Sequence, residues 1–432
     1  MRETLSKVPK WLWAAIAAPR LALLALAAAE PSRCLRADSQ GYLAEAGNLL
    51  RHFSFSSDPT HWFLPETFRT PGYPAFLVPF VGLFEGPALA IAAAQCVLGG
   101  AAALLAWRWG ERIGGKKGAA VCGLVLALDP VLLFHTPLVM TEILFLAIYV
   151  AALYETWEAR ETTDPLRAGV CGLLWGWSAM VRPISLYLPP FIAWWFWRKD
   201  KRMAAVFLAA AWALPLAWTA RNVRRAGAVV FSSQGGRDLL RYPGAGVEAL
   251  RTGRPWAELD AELRAQVDAA HPQGYATDAE QGAAYGAKAM ELLKPHPFLL
   301  MRYCAVGAAK VLGGTGLEML LEWTGGGRPS AKDQEFRPRV SGQGTLALLR
   351  AHQWLVPLQL GYMAALGALY LGFAAGLWAL WTRGLKPEAG LLLILFGYFL
   401  GLSSTQGYYR YRIPLLPVLA AGTAANFRTK KS

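Results

Sequence analysis

The residues in this chain best equipped for chemistry are Asp38 and Glu142, together with Arg69, Arg182, Arg221, Arg410 and Arg412. Each sits at the end of an apolar run or in a turn between two such runs. A carboxylate at a membrane edge is a candidate general base, because an ionisable group placed there without a partner is costly. Arginine in the same setting suits a phosphate, since its planar fork makes bidentate contacts to phosphate oxygens. Plainer readings compete. Asp38 could cap the helix that follows it, and Glu142 could be a helix N-terminal acid with Thr141 as cap. Any single arginine could simply anchor in lipid headgroups. Two acids and five cations together are harder to explain that way. Tyr42, Tyr73 and Tyr411 lie beside these charges in sequence and are candidate contacts for a sugar or an acceptor.

Other chemistries have little support. The six histidines are scattered, with His52 and His61 nearest the first acid, and none shows metal-ligand spacing. Cys34, Cys96, Cys122, Cys171 and Cys304 are singly placed, mostly in apolar runs, so neither a disulfide framework nor a metal cluster is expected. A divalent cation could bridge Asp38 and Glu142, but the spacing does not require one, and no cofactor is expected to be necessary. No glycine-rich phosphate loop is present, which argues against a nucleotide donor.

The elements that must position these residues are membrane helices. Of 432 residues, 55% are hydrophobic and only 17% charged, with 18 Trp, which marks an all-α polytopic membrane protein. The net charge of +14 falls largely in short loops beside spans, where it sets orientation rather than binding nucleic acid. Apolar runs long enough to span occur near 11–29, 87–107, 118–136, 142–157, 203–220, 356–381, 388–404 and 412–427. Two shorter runs, 168–181 and 184–197, form a hairpin about Arg182-Pro183. This gives about ten spans with both termini cytoplasmic, the arrangement that gathers the basic loops on one side. The first run reads as a retained span rather than a cleaved signal.

Three regions follow. Residues 1–220 form an N-terminal transmembrane catalytic module that includes the first outer loop, 30–86. Residues 221–355 form an outer, mostly helical region, and 356–432 the C-terminal spans. Tyr42, Leu43, Ala46, Leu49 and Leu50 recur at helical spacing and predict a surface helix after Asp38. Thr70-Pro71-Gly72-Tyr73-Pro74 reads as a non-helical turn leading into an apolar run, 74–85, that lies on the membrane. In the outer region, helices are expected from Trp256 to Ala270 and from Thr277 to Leu293, the second opened by a Thr277-x-x-Glu280 capping box. The run 298–321 reads as an amphipathic surface helix, and Gly325 to Gly344 as a loop. Asp129-Pro130 predicts a kink or polar contact within a span, and Arg20 a partner inside the bundle.

The residues also carry a family resemblance. In order they read A-D-S-Q-G-Y, R-T-P-G-Y-P-A-F-L, L-A-L-D-P-V-L-L-F with T-E after it, and V-R-P-I-S-L-Y-L-P. P-L-A-W-T-A-R-N, K-P-H-P-F-L-L-M-R-Y and Y-Y-R-Y-R-I-P-L-L-P-V-L follow. The chain resembles the polyprenyl-phosphate-sugar-dependent glycosyltransferases of the C-type membrane fold, GT-C. That superfamily includes bacterial relatives of protein O-mannosyltransferases, lipid A aminoarabinose transferases and lipopolysaccharide core galacturonosyltransferases.

The resemblance implies that Asp38 and Glu142 are the acids of the first and second outer loops, with Glu where Asp is commoner. It places Arg69 as a cation before the proline-rich turn, and Arg221-Asn222 and Arg410-Tyr411-Arg412 as the pairs framing a lipid phosphate. The reaction implied is transfer of a sugar from a polyprenyl-phosphate donor to a cell-envelope acceptor at the outer face of a bacterial inner membrane. Two other readings remain open, a lipid-linked glycan polymerase or ligase and an envelope lipid flippase or transporter. The latter would favour mid-membrane polar groups, often in two related halves, whereas here the charged candidates cluster at one face and no half-repeat is visible.

Overall fold

A computed structural model describes residues 8–325 and 349–428, and among these every regular element is a helix. Five helices are long and apolar enough to cross a membrane: α1 (Lys10–Ala29), α4 (Ala88–Leu128), α9 (Lys201–Ala226), α16 (Leu355–Thr382) and α17 (Lys386–Ser404). The 41 residues of α4 are two arms. Gly115 adopts φ +62°, a conformation that suits only glycine without strain, and the chain doubles back so that Gly110 lies against Gly118. The expected run at 87–107 lies in the first arm, and the run at 118–136 is the second arm plus a separate short helix that follows a break at Asp129. Shorter helices complete the bundle: α5 (Pro130–His135), α6 (Glu142–Thr162), α7 (Pro165–Val181), α8 (Pro189–Trp197) and α18 (Leu415–Ala424).

Charges inside the bundle find partners, as lipid or protein surroundings demand. Arg20, 3% exposed, donates to the Leu126 and Ala127 carbonyls, each at 3.1 Å. Those carbonyls belong to the last turn of α4, where helix geometry leaves them without an intrahelical donor. Asp129 accepts from Leu132 N at 3.0 Å and so caps α5. Its other oxygen accepts from the Tyr362 hydroxyl at 2.6 Å.

The first outer loop contains α2 (Ala37–His52) and α3 (Gly72–Leu83). The turn expected at Thr70–Pro74 is shorter than the sequence suggests, because α3 already begins at Gly72. Pro74 falls in its first turn, where a missing N–H costs no helical hydrogen bond. The outer region builds a small core of its own from α11 (Ala245–Thr252), α12 (Trp256–Ala269), α13 (Asp278–Leu293) and the residues before them. Leu240, Val247, Trp256, Leu263, Tyr285 and Leu293 are buried there. The Thr277 hydroxyl accepts from Glu280 N at 3.2 Å, the cap its spacing predicts.

The run 298–321 is not one helix. It breaks at Gly313-Gly314-Thr315-Gly316 into α14 (Pro297–Gly313) and α15 (Glu318–Trp323), since three glycines in four residues cost too much helix propensity. Of the loop expected over 325–344, residues 326–344 lie outside the described residues.

Candidate functional site

The site is assembled by pinning the first outer loop to the turn ahead of Glu142. In the first arm of α4, Gln95 is fully buried and donates to the carbonyls of Thr136 at 2.9 Å and Leu138 at 2.6 Å. That fixes the non-helical stretch between α5 and α6. Val139 in this stretch then donates to the Cys34 carbonyl at 2.8 Å and accepts from the Ser39 hydroxyl at 2.8 Å. The start of α2 is therefore tied to the start of α6, and Asp38 and Glu142 belong to one cluster.

Asp38 is not the cap that its position allowed, whereas Glu142 does stand in the first turn of α6 as a helix N-terminal acid. Arg36 is the N-cap of α2, its N–H donating to the Ser39 hydroxyl at 2.9 Å, while Asp38 sits in the first turn. Thr141 makes no side-chain cap at α6. The Asp38 side chain is 52% exposed and stands 3.8 Å from Arg69 Nη2. Glu142 is 2% exposed and pairs with Arg182 at 3.0 Å through Oε1. Its Oε2 is buried with no hydrogen-bond partner among the described residues.

Arg182 comes from the turn after α7 and lies 5.6 Å from the Tyr411 ring and 5.8 Å from the Phe145 ring. Arg410 comes from the short 3₁₀ turn Tyr409–Arg412 and donates to the Tyr411 hydroxyl at 3.2 Å. Burial alone would lower the Arg410 guanidinium, but Tyr411, Glu142 and Asp38 outweigh it and hold the cation above the ordinary arginine range. Tyr42 lies over Arg69 at 4.9 Å, and burial raises its phenol above the usual range, so it remains a neutral hydrogen-bonding group. Asp38, Tyr42, Arg69, Glu142, Arg182, Arg410 and Tyr411 thus meet at one place.

Three other expected residues have different partners. Arg412 is fully buried behind the turn and donates to the Val311, Leu312 and Gly314 carbonyls at 3.0, 3.1 and 2.8 Å. It also donates to the Tyr362 hydroxyl at 2.7 Å, so it closes a chain through Tyr362 to Asp129. In a 3₁₀ turn, residues two apart point to different sides, which separates Arg410 from Arg412. Arg221 donates to the Glu66 carbonyl at 2.8 Å, the Asn222 amide oxygen at 2.9 Å and the Phe55 carbonyl at 3.3 Å. It clamps the first outer loop instead of facing the cluster. Tyr73 is fully buried behind Tyr42, with its hydroxyl donating to Gln95 at 2.9 Å.

The structure adds residues that the sequence reading overlooked. Glu45 and Glu66 flank Arg69 at 2.9 and 3.7 Å. The signal for Glu45 was present, since Asp38, Tyr42 and Glu45 follow at four and three residues and share one helix face. Asp238, on α10 (Gln234–Leu239), accepts from Gln234 at 3.2 Å and Gln406 at 3.1 Å. Burial pushes its carboxyl up to about 6, and the Asp38 charge adds to that. No local pattern marks Asp238. It reaches the cluster because Ser233 N donates to the Thr67 carbonyl at 2.9 Å and Ser232 Oγ to the Phe68 carbonyl at 2.6 Å, strapping α10 to the first loop.

Among the described residues, no group of three or more His, Cys, Asp or Glu side chains is placed to hold a metal ion. The free Oε2 of Glu142 and the exposed Asp38 carboxylate would give such an ion two protein ligands at most.

The model of the dolichyl-phosphate-mannose-protein mannosyltransferase family matches residues 69–223, a stretch that includes Arg69, Glu142, Arg182 and Arg221. No curated protein sequence gives a significant match. Among solved structures, the chain is similar to the Archaeoglobus fulgidus oligosaccharyltransferase tethered with an acceptor peptide. The TM-score is 0.50 and the identity 13%, covering 96% of this chain and 49% of that one. It is also similar to ArnT from Cupriavidus metallidurans bound to undecaprenyl phosphate, with a TM-score of 0.42 and 14% identity, covering 96% and 78% of the two chains. The chain thus spans about half the length of the oligosaccharyltransferase. Its fold is that of the GT-C membrane proteins.

Proposed function

We propose that this GT-C chain is a membrane glycosyltransferase that moves a hexosyl or pentosyl group from a polyprenyl-phosphate carrier to a cell-envelope acceptor. The acceptor group is a hydroxyl or phosphate of a glycolipid, polysaccharide or protein. The observation that carries this reading is the convergence of an exposed carboxylate, Asp38, with Arg182 and with Arg410, which has no carboxylate at ion-pair distance among the described residues, at one end of an apolar bundle. The family match over 69–223 agrees with it.

In this reading the donor lipid lies in the bilayer and its phosphate sits against Arg182 and Arg410, with Arg69 at the edge. Glu142 holds Arg182 in place, and Tyr42 and Tyr411 line the sugar. Arg221, Arg412 and Tyr73 support the scaffold and take no part in phosphate or sugar binding. The lipid phosphate is already a good leaving group. The protein's task is to hold it, to support positive charge developing at the anomeric carbon, and to take the proton from the incoming hydroxyl. Asp38, open to water, takes that proton. Attack opposite the leaving phosphate inverts the anomeric configuration. A divalent ion held by Asp38 and Glu142 would add positive charge at the departing phosphate. The cluster faces the outer side of a bacterial inner membrane, and both termini lie in the cytoplasm. Reporter fusions at Gly115 and Lys199 should then read cytoplasmic, and fusions near Asp58 and Gly274 should read outer.

Asp38→Asn provides the test. Asn keeps the shape but cannot accept a proton. Turnover should fall by about 10²–10⁴-fold while purified protein still folds and binds the donor. Asp38→Glu, which moves the carboxylate by one methylene, should also be poor, because geometry limits proton transfer. An Asp38→Asn enzyme within a few-fold of wild type would remove Asp38 from this role.

A further inference from the structure

Beneath Asp38, two buried glutamates that the proposed transfer does not use directly flank Arg69. Arg69 Nη1 contacts Glu45 Oε1 at 2.9 Å and stands 3.7 Å from Glu66 Oε1, while Arg69 Nη2 is 3.8 Å from Asp38. Glu45 is fully buried and Glu66 is 5% exposed. Glu45 Oε2 and both Glu66 side-chain oxygens are buried with no hydrogen-bond donor among the described residues. The two carboxyl groups are within hydrogen-bonding reach of each other.

The surroundings leave little room to rearrange. Glu66 is held through its backbone, its N–H donating to the Phe55 carbonyl at 3.0 Å and its carbonyl accepting from Arg221 at 2.8 Å. Above the guanidinium, a Cβ at Gly41 would fall 2.6 Å from Arg69 Nη1, so only glycine lets the side chain lie there. The ionisable groups acting on the pair are Arg69 on the loop, Arg221 on α9 and Asp278 on α13, while Asp38 and Tyr42 on α2 face Arg69.

Two buried carboxylates sharing one cation would leave an uncompensated charge and three acceptor oxygens without donors, which is costly. One proton placed between them removes the excess charge and joins two of the three oxygens in a hydrogen bond. We propose that Glu45 and Glu66 form a carboxyl–carboxylate pair that shares a single proton and positions Arg69, leaving Asp38 free to act. The role assigned to Asp38 rests on the glycosyltransferase reading above, whereas the shared proton does not.

Arg69 is then balanced once from below, and its Nη2 remains only a loose neighbour of Asp38. With both glutamates neutralised, Arg69 loses its buried counter-charge and closes on Asp38, occupying the carboxylate that must accept a proton. Either glutamate alone suffices to hold Arg69, so the two are redundant for position and not for the proton. Burial, reinforced by Glu66, pushes the Glu45 carboxyl up to about 9 against the pull of Arg69. The folded protein therefore keeps a proton that the unfolded chain releases near the ordinary Glu value. Stability should fall as pH rises from about 5 to about 9.

Infrared difference spectra in ester-free detergent test the proton directly. At neutral pH, wild type minus Glu45→Gln, and wild type minus Glu66→Gln, should each show the carbonyl stretch of one protonated carboxyl lost. Both variants should also flatten the fall in thermal stability between mild acid and alkali. Each single variant should turn over close to wild type. The Glu45→Gln/Glu66→Gln double variant should lose about 10²-fold in kcat, the cost of misplacing a reacting group by about 1 Å. Its KM for the donor should stay unchanged. Absence of the protonated-carboxyl signal, or single variants as slow as the double, would overturn the proposal. Absence of transfer in wild type with every polyprenyl-phosphate donor tried would instead strike the glycosyltransferase reading, because the infrared and stability measurements need no turnover.

Discussion

Helix α6 carries one buried glutamate in its first turn and another, Glu158, near its last, about 24 Å away at 1.5 Å per residue. Glu158 is held by two cations, Arg112 at 3.0 Å and Arg167 at 3.5 Å, and Arg167 also grips Glu155 at 2.6 Å. Arg112 is 54% exposed. Nearby, Arg160 stands 3.7 Å from Glu388. At this end Glu155, Glu158 and Glu388 each have a cation from a neighbouring helix, and Arg112 lies at the exposed edge. Such pairs staple helices together and contribute modestly.

The Glu142 end uses the same residue types differently. One acid oxygen takes one cation, the other has no partner, and Arg410 adds a second positive charge within the influence of Glu142. Cation capacity is left over, and the neighbouring carboxylate, Asp38, is open to solvent. An end whose charges cancel is a fastener. An end with uncancelled cations beside a free base can receive an anion and a proton. A count of acids and arginines at a membrane edge says little until their pairing is known.

Breaking the pair at the Glu142 end should have the largest effect on stability. Arg182→Ala leaves a buried carboxylate without its cation, and we expect about 3–5 kcal/mol of destabilisation, read as a lowered midpoint in detergent unfolding. Arg182→Ala/Glu142→Gln should recover much of that stability without recovering turnover. If the single variant unfolds like wild type, Glu142 is not dependent on Arg182.

Arg410→Ala sharpens the contrast from the ligand side. Donor binding should weaken by about 1.5–3 kcal/mol as a charge-assisted bond is lost, measured by titration with a polyprenyl phosphate. Arg410→Lys should restore only part, because the fork geometry is absent. Arg221→Ala, by comparison, should disturb the first loop and leave the contact to the phosphate itself intact. Equal weakening of donor binding in Arg221→Ala and Arg410→Ala, with the first loop undisturbed, would return Arg221 to the phosphate site.

The smallest effect is expected at the far end. Glu158→Gln should cost about 0–1 kcal/mol, as surface-edged ion pairs do, and leave kcat and KM for the donor unchanged. A clear fall in turnover would mean that the two ends of α6 are coupled.

Much of the fold is written locally. Long apolar runs, their basic flanks and the Thr277-x-x-Glu280 cap depend on composition and spacing within a few turns, and the helices appear where those signals lie. The position of Asp38 at the start of a helix and of Glu142 at the start of another is legible for the same reason. Pairing is not, because a hydrogen bond between residues 100 apart leaves no periodic trace. Ser39 to Val139 joins the two acids, and Ser232 to Phe68 brings Asp238 to them.

The arginines show the limit most directly. Arg410 and Arg412 are two residues apart in an identical setting, and sequence alone treats them alike. The turn sends Arg412 into the bundle to satisfy the free carbonyls at the end of α14, and leaves Arg410 with Tyr411 beside Glu142. Residue type decided that these side chains could bind an anion. Only the tertiary structure decided which of them still had donors to spare, because main-chain carbonyls left open at helix ends compete for the same N–H groups.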